Sequence, residues 1–219
     1  MRITTLFIFA SQIFVACTFI GKGDSCESDH FDTLQIPTNT GEYYFQLKPS
    51  IHDSINNAID TFRNVWFSNF LYQMQEPIIK DYKGCMEIYR FTWLRTFHHP
   101  VVLRLEKANH KARLTSKITN GAGGYFVGDM AMDTINSVSL EKFDSLIQEI
   151  EIADFWMLPT NQGRMGLDGS EWIVEGYKNG EYHLVCRWSP VHETKPTLSG
   201  IGKFLIRLSP IPEETKKLY

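Results

Sequence analysis

Two acids and a histidine lie within one short stretch of the chain, residues 166–190, which reads GLDGSEWIVEGYKNGEYHLVCRWSP. Asp168, Glu175 and His183 are the residue types that carry acid–base chemistry, because carboxylates and imidazoles exchange protons with a bound substrate. Together they are candidates for the catalytic set of a small hydrolase. The simpler interpretation of Asp168 is a turn residue between two nearby glycines, whose carboxylate binds its own backbone.

The same stretch holds candidates for ligand binding, namely Trp172, Arg187 and Trp188. An arginine guanidinium over a tryptophan ring forms a cation–π pair. Ordinary packing between neighbouring strands is the alternative for these residues.

The elements that must position these side chains are two strands joined by Asn179-Gly180, a dipeptide typical of a two-residue type I′ hairpin turn. The turn predicts that Gly176 faces His183 and Trp172 faces Arg187. Because cross-strand partners share a face, Glu175 lies on the opposite face from His183 and cannot orient it. Glu175 shares a mostly apolar face, so we expect it to pair with an arginine or to take up a proton.

The order of these residues resembles an uncharacterised family of small bacterial exported or lipoprotein-like proteins. The resemblance rests on GLDGxxWxxEG, GxYH and RWSP, preceded by FWxLP, and covers about residues 155–190. It implies a shared fold and supplies no mechanism. The matching positions are Phe155, Trp156, Leu158, Pro159, Gly166, Leu167, Asp168, Gly169, Trp172, Glu175, Gly176, Gly180, Tyr182, His183, Arg187, Trp188, Ser189 and Pro190.

The N-terminus predicts export. Arg2 precedes an apolar run that is too short to span a bilayer, which favours a signal peptide over residues 1–16. Phe14-Val15-Ala16-Cys17 resembles a bacterial lipobox, with Cys17 as the lipidated new N-terminus, although Phe14 departs from the usual leucine. The lipid, for example palmitate, would make the membrane a partner. The alternatives are plain secretion and an uncleaved apolar N-terminus.

The remaining cysteines agree with an oxidising compartment. Cys85 and Cys186 both lie in strand-like runs, whereas Cys26 lies in a polar leader, so Cys85–Cys186 is the expected disulfide. No cysteine spacing indicates a metal site. His98-His99 is read as an exposed loop, because Zn²⁺ needs three or four ligands and no partner is evident.

The segments predict an α+β fold, a single domain with an antiparallel sheet of about five to six strands and three helices. The domain spans residues 41–210, after a polar tether over residues 17–40 and before a tail over residues 211–219. The first helix is expected from Ser50 to about Gln75, with Phe62 and Trp66 in its core stripe. Ser139 caps the second helix, which ends near Ile152, and the third spans residues 196–208.

A stripe of basic residues follows the middle hairpin and is predicted to be a solvated face, with anionic lipid or an acidic partner as alternatives. It comprises Arg104, Lys107, Lys111, Arg113 and Lys117. The net charge of −3 gives no global basic field for nucleic acid.

The sequence contains no nucleotide-binding or dinucleotide motif, so no cofactor is expected. The predicted function is a cell-envelope binding or interaction module. A small hydrolase and a structural or immunity-type component are the alternatives.

Overall fold

A six-stranded antiparallel sheet forms the centre of the molecule in the computed structural model, which describes residues 30–39, 41–49, 55–162, 166–190 and 198–218. The predicted α+β single domain is confirmed. The short strands β1 (Gln46–Leu47) and β2 (Ala58–Ile59) form a separate parallel pair. The sheet strands are β3 (Glu87–Arg95), β4 (Val101–Ala108), β5 (Lys111–Thr119), β6 (Met130–Val138), β7 (Ser170–Lys178) and β8 (Glu181–Trp188). The described helices are α1 (Thr61–Gln73), α2 (Leu140–Ile152) and α3 (Leu198–Leu208).

The strands lie in the order β6-β5-β4-β3-β7-β8, so the C-terminal hairpin adds to the β3 edge of the middle strands. The register predicted from Asn179-Gly180 is confirmed, with Gly176 opposite His183 and Trp172 opposite Arg187. Both turn residues have positive φ angles, 52° and 84°, as a type I′ turn requires.

Helices α2 and α3 cover one face of the sheet. Ser139 caps α2 by accepting a hydrogen bond from the Lys142 amide. Phe143, Leu146 and Ile150 of α2 are buried on this face, together with the apolar stripe of α3. The predicted second helix is therefore confirmed, as is the part of the third helix within the described residues.

Helix α1 and the chain before it cover the opposite face. The prediction of one helix from Ser50 to about Gln75 is wrong within the described residues, because α1 begins only at Thr61. Asn57 takes a left-handed φ of 62° and Ala58–Ile59 form a strand, so Asp60 becomes the N-cap and accepts a hydrogen bond from the Arg63 amide. Ser50 lies outside the described residues.

The α1 layer also buries the basic stripe that the sequence predicts to be solvated, so that prediction is wrong for its central members. Arg104 and Lys117 are 7% and 5% exposed. Both contact Glu76, which follows α1 and is fully buried, at 2.9 and 3.2 Å. Burial alone raises the pKa of Glu76, but Arg104, Lys117 and Arg90 outweigh it and hold that pKa below its usual value.

Three hydrogen bonds, two from the Asn57 side chain and one from the Thr160 backbone, occupy the outer edge of β8. Asn57 donates from Nδ2 to the Tyr182 carbonyl and accepts at Oδ1 from the Leu184 amide, both at 2.9 Å. The Thr160 carbonyl accepts a 2.7 Å hydrogen bond from the Cys186 amide. These bonds replace the strand that would otherwise pair there, while β6 forms the other edge of the described sheet.

The two ends of the sheet are built differently. Phe31 and Leu34, in the segment assigned to the tether, pack at the end where β3 begins, so this part of the segment belongs to the packed domain. After α3, the Thr215 carbonyl accepts a 2.6 Å hydrogen bond from Arg95 at the opposite end, where β3 finishes. Among the described residues, no helix has the length and apolarity needed to cross a bilayer.

Candidate aromatic binding groove

A groove of about 360 Å³ opens at the end of the sheet where β3 and β8 finish. We call it the aromatic groove. Five separate segments contribute to it: the first turns of α1, the residue after β3, the loop after β5, the loop before β7 and the last residue of β8. Its lining comprises Phe62, Trp66, Thr96, Gly124, Tyr125, Gly166, Leu167 and Trp188.

Three apolar side chains of this groove are largely exposed. Phe62 is 70% exposed, Tyr125 67% and Leu167 93%. Phe62 and Trp66 lie one helical turn apart on α1, with ring centroids 6.3 Å apart. The sequence places both in a core stripe, but the late start of α1 leaves them at its exposed N-terminal end. Apolar side chains that are exposed together in one groove make it a candidate interaction site.

Hydrogen bonds fix the loops that carry the groove. The Thr96 hydroxyl donates to the Gly169 carbonyl at 3.0 Å and accepts from the Gly169 amide at 3.2 Å. The Thr96 carbonyl accepts a 3.2 Å hydrogen bond from the Gly124 amide. One residue therefore joins the loop before β7 to the loop after β5, and the groove is held in shape without a ligand.

Glycines allow these loops to approach so closely. A Cβ atom on Gly123 would lie 2.5 Å from the Arg95 backbone nitrogen, and one on Gly166 would lie 2.4 Å from Trp188 Nε1. The GAGG segment is thus packed backbone to backbone against the end of β3. Trp188 is half-buried beneath the loop before β7 and forms part of the groove.

The lining residues that the structure describes carry no charged side chain, but a buried carboxyl lies next to them. Glu171 is the cross-strand partner of Trp188, is 2% exposed, and its Oε2 has no hydrogen-bond partner among the residues that the structure describes. Burial raises the pKa of Glu171 to about 7, although Arg63 and Arg187 oppose the increase. Glu171 is therefore a neutral or readily protonated carboxyl rather than half of an ion pair.

The predicted catalytic residues are not brought together. Asp168 is exposed in the loop before β7, and the five strand steps from Ser170 to Glu175 alone span about 17 Å. Glu175 and His183 point to opposite faces of the sheet, as the register predicts. No proton could pass between any two of these groups directly or through one water, so they form no catalytic set.

Glu175 has the arginine partner that its apolar face predicts. It contacts Arg90 of β3 at 2.5 Å and accepts a 3.0 Å hydrogen bond from the Tyr182 hydroxyl, with both charged side chains fully buried. Burial alone lowers the pKa of Arg90, but Glu175 and Glu76 more than offset this and raise it. The pair is a structural part of the α1 layer and does not contact Arg187 across the hairpin.

His183 is also part of the core. Its Nε2 lies 2.9 Å from the Leu158 carbonyl, and its ring packs edge-on against Phe155 with 5.0 Å between centroids. Burial lowers the pKa of His183 below its usual value. A neutral ring that donates to a backbone carbonyl explains the histidine without a catalytic role.

Of the predicted binding residues, only Trp188 reaches a surface groove. Trp172 is fully buried, donates from Nε1 to Ser170 at 2.9 Å and packs on Trp93. Arg187 is 4% exposed and donates to the carbonyls of Thr160 and Cys186. Trp172 and Arg187 are therefore core residues and cannot touch a ligand in this structure.

The predicted Cys85–Cys186 disulfide is wrong. Cys186 is a free, buried thiol, whereas Cys85 is disulfide-bonded. Cys186 pairs with Ile173 across the hairpin, and Ile173 pairs with Thr92 of β3. Cys186 is therefore level with Thr92, which lies seven residues after Cys85 in the chain. The five strand steps from Glu87 to Thr92 alone span about 17 Å, whereas bridged Cα atoms lie within about 7 Å. Cys17 lies outside the described residues.

The other surface features are less suited to ligand capture. His98 and His99 are exposed, and among the described residues no group of three or more His, Cys, Asp or Glu side chains could hold a metal ion. A wider depression of about 630 Å³ beside β1 combines charged residues such as Glu42, Lys80 and Asp81 with Tyr43, Leu47 and Ile78. Water solvates its charged groups well, whereas the exposed rings of the aromatic groove gain from being covered.

Comparison with known proteins finds no family model that matches the chain and no curated protein that matches it. The family resemblance carried by the GLDG to RWSP segment stays a prediction.

Proposed function

We propose that the protein is an exported binding module of the cell envelope, anchored as a lipoprotein, and that it captures its partner in the aromatic groove. The observation that carries the proposal is the group of partly exposed aromatic rings in one groove, two loops of which are joined by the Thr96 hydrogen bonds. A pocket that is apolar and preformed binds a ligand without first having to order itself.

The export part of the proposal is supported by the apolar N-terminal run and by the disulfide at Cys85, since disulfides persist in oxidising compartments. The chain has four cysteines, and Cys186 is free. A lipid on Cys17 therefore leaves Cys26 as the only partner for Cys85 within the chain.

Peptide mapping of the full chain without reduction tests this point. We expect a Cys26–Cys85 linked peptide and a lipid mass on Cys17, and we expect Cys17→Ser to release the protein from membranes. A linked Cys17–Cys85 peptide would rule out the lipoprotein.

The binding part is tested with intrinsic fluorescence, because Trp66 and Trp188 both line the groove. The full chain is titrated with panels of peptides, oligosaccharides and fatty acids. Leu167→Ser should weaken binding by about tenfold, the effect of losing one well-buried apolar contact. Met157→Ser is the matched control, because Met157 is 75% exposed and outside the groove. Equal binding by both variants would refute the groove as the site.

A further inference from the structure

We propose that two copies of the chain pair through β6, antiparallel and about a two-fold axis at Ile135. The proposal is independent of the binding function above, because no described residue of β6 lines the aromatic groove. It follows from the open edge of β6, from the extent of its regular part and from the side chains that a second copy brings opposite it.

The outer side of β6 is open in the part of the chain that the structure describes. There the strand pairs with β5 alone, and its exposed residues are Ala131, Asp133, Ile135, Asn136 and Ser137. An edge strand presents a row of amide and carbonyl groups that another strand can satisfy. The strand reads MAMDTINSV, with one charged residue and without the lysine or proline that commonly blocks such an edge. Hydrogen bonds already occupy the other edge, β8, so a second copy offers β6 for this pairing.

The regular part of β6 is centred on Ile135. The register against β5 shifts between Met130 and Met132, so the regular segment runs from Met132 to Val138 and Ile135 is its middle residue. A two-fold axis at Ile135 therefore pairs the whole regular segment with its own copy. Odd-numbered residues then face odd-numbered ones, as pairing requires, because only alternate residues of an edge strand direct their backbone groups outward. Seven residues paired in this way form about six to eight backbone hydrogen bonds.

The side chains that meet in this register are compatible. Each pair joins two apolar or two polar side chains, and no two like charges face each other directly. The pairs are Met132 with Val138, Asp133 with Ser137, Thr134 with Asn136, and Ile135 with itself. The Ser137 hydroxyl can donate to the Asp133 carboxylate, and Ile135, which is 62% exposed, is covered by its own copy. An axis at Thr134 would instead place Ile135 opposite Asp133 and carry the pairing into the irregular end of β6.

The oligomeric state of the full chain is the first test, measured by sedimentation equilibrium over a range of concentrations. We expect a dimer that dissociates on dilution. Ile135→Lys sets two positive charges directly opposite each other in place of an apolar pair, and should raise the dissociation constant of the dimer by about tenfold or more. Ile152→Lys is the matched control, because Ile152 is 60% exposed on α2, and it should leave the dimer unchanged. Circular dichroism spectra establish that both variants remain folded.

Disulfide crosslinking tests the register. Residues directly opposite each other in antiparallel strands have Cβ atoms about 4.5–5.5 Å apart, close to the separation in a disulfide. Under mild oxidation, Ile135→Cys should therefore give a linked dimer on a non-reducing gel faster than Thr134→Cys or Ile152→Cys does. Faster linkage through Thr134→Cys would overturn the axis at Ile135. A chain that stays monomeric at every concentration, or a dimer that Ile135→Lys does not weaken, would overturn the pairing itself and leave the groove proposal untouched.

Discussion

Glu171 gives the sharpest test of the physical description, because its buried carboxyl opposes folding only when it is ionised. The perturbation is Glu171→Gln, which keeps the size of the side chain and removes the ionisation. The pKa is about 7 in the folded protein and 4.5 for an ordinary glutamate. At about 1.4 kcal/mol per pH unit, this difference corresponds to roughly 3 kcal/mol.

The sign follows from the proton count. Between pH 4.5 and pH 7 the folded state holds one more proton at Glu171 than the unfolded state, so the free energy of unfolding falls as the pH rises. The favourable contribution is complete below pH 4.5 and is lost by the time the pH passes 7. Glutamine does not titrate, so the free energy of unfolding of the variant lacks this pH-dependent contribution. Relative to wild type, its stability should therefore rise by about 3 kcal/mol between pH 4 and pH 8.

The assay is urea unfolding of both proteins over that pH range, followed by tryptophan fluorescence. The free energy of unfolding of wild type is subtracted from that of Glu171→Gln at each pH. This subtraction cancels the contributions of the other titrating groups, and any cost of the amide that does not depend on pH leaves the change between pH 4 and pH 8 unaffected. Glu181→Gln is the control on the same hairpin, because Glu181 is exposed at the turn. A difference between Glu171→Gln and wild type that changes by less than about 1 kcal/mol would show that Glu171 is ionised in the folded protein, stabilised by Arg63 or Arg187.

Three further results are expected. Glu175→Ala leaves the guanidinium of Arg90 buried without its main partner and should lower the free energy of unfolding by about 3–5 kcal/mol in urea titrations; a loss below 1 kcal/mol would contradict the ion pair. Gly123→Ala inserts a methyl group against backbone atoms and should cost about 1–3 kcal/mol, measured as a lower Tm, and an unchanged Tm would contradict the tight packing of that loop. Iodoacetamide should label Cys186 only after denaturation and should not label Cys85 without a reductant; labelling of Cys186 in the native state would contradict its burial.

The sequence predicts the C-terminal hairpin well because its information is local. Asn179 and Gly180 determine the turn, and the turn determines which residues face each other. The faces of Glu175 and His183 are therefore predicted correctly. The alternation of side chains does not reveal what covers each face, and here both faces are buried, which places Trp172 in the core.

The same limit explains the error over the basic stripe. Alternating apolar and charged residues in β4 and β5 are typical of a half-solvated hairpin. Arg104 and Lys117 are instead neutralised by Glu76, which lies 28 and 41 residues away in the chain. The apolar face on which Glu175 lies predicts that it needs a partner such as an arginine. Which arginine this is cannot be predicted, because Arg90 becomes the partner only through the pairing of β3 with β7.

The aromatic groove is the part least accessible from sequence. Its residues come from segments up to about 125 positions apart, and the helical spacing of Phe62 and Trp66 is equally typical of a buried stripe. The sequence does contain one indication of the groove, which is a glycine on each side of it, Gly124 and Gly166. Glycine there indicates close approach of a backbone, without saying to what.

The side chain of Asn57 has a consequence for the way copies of the protein can associate. A sheet with two free edges can add strands from both sides and propagate into a fibre. Here Asn57 and Thr160 occupy hydrogen-bonding groups of β8, which leaves β6 as the edge of the described sheet that can accept another strand. Strand addition at β6 joins two copies and goes no further along the sheet, because the β8 edge of the described sheet is already occupied.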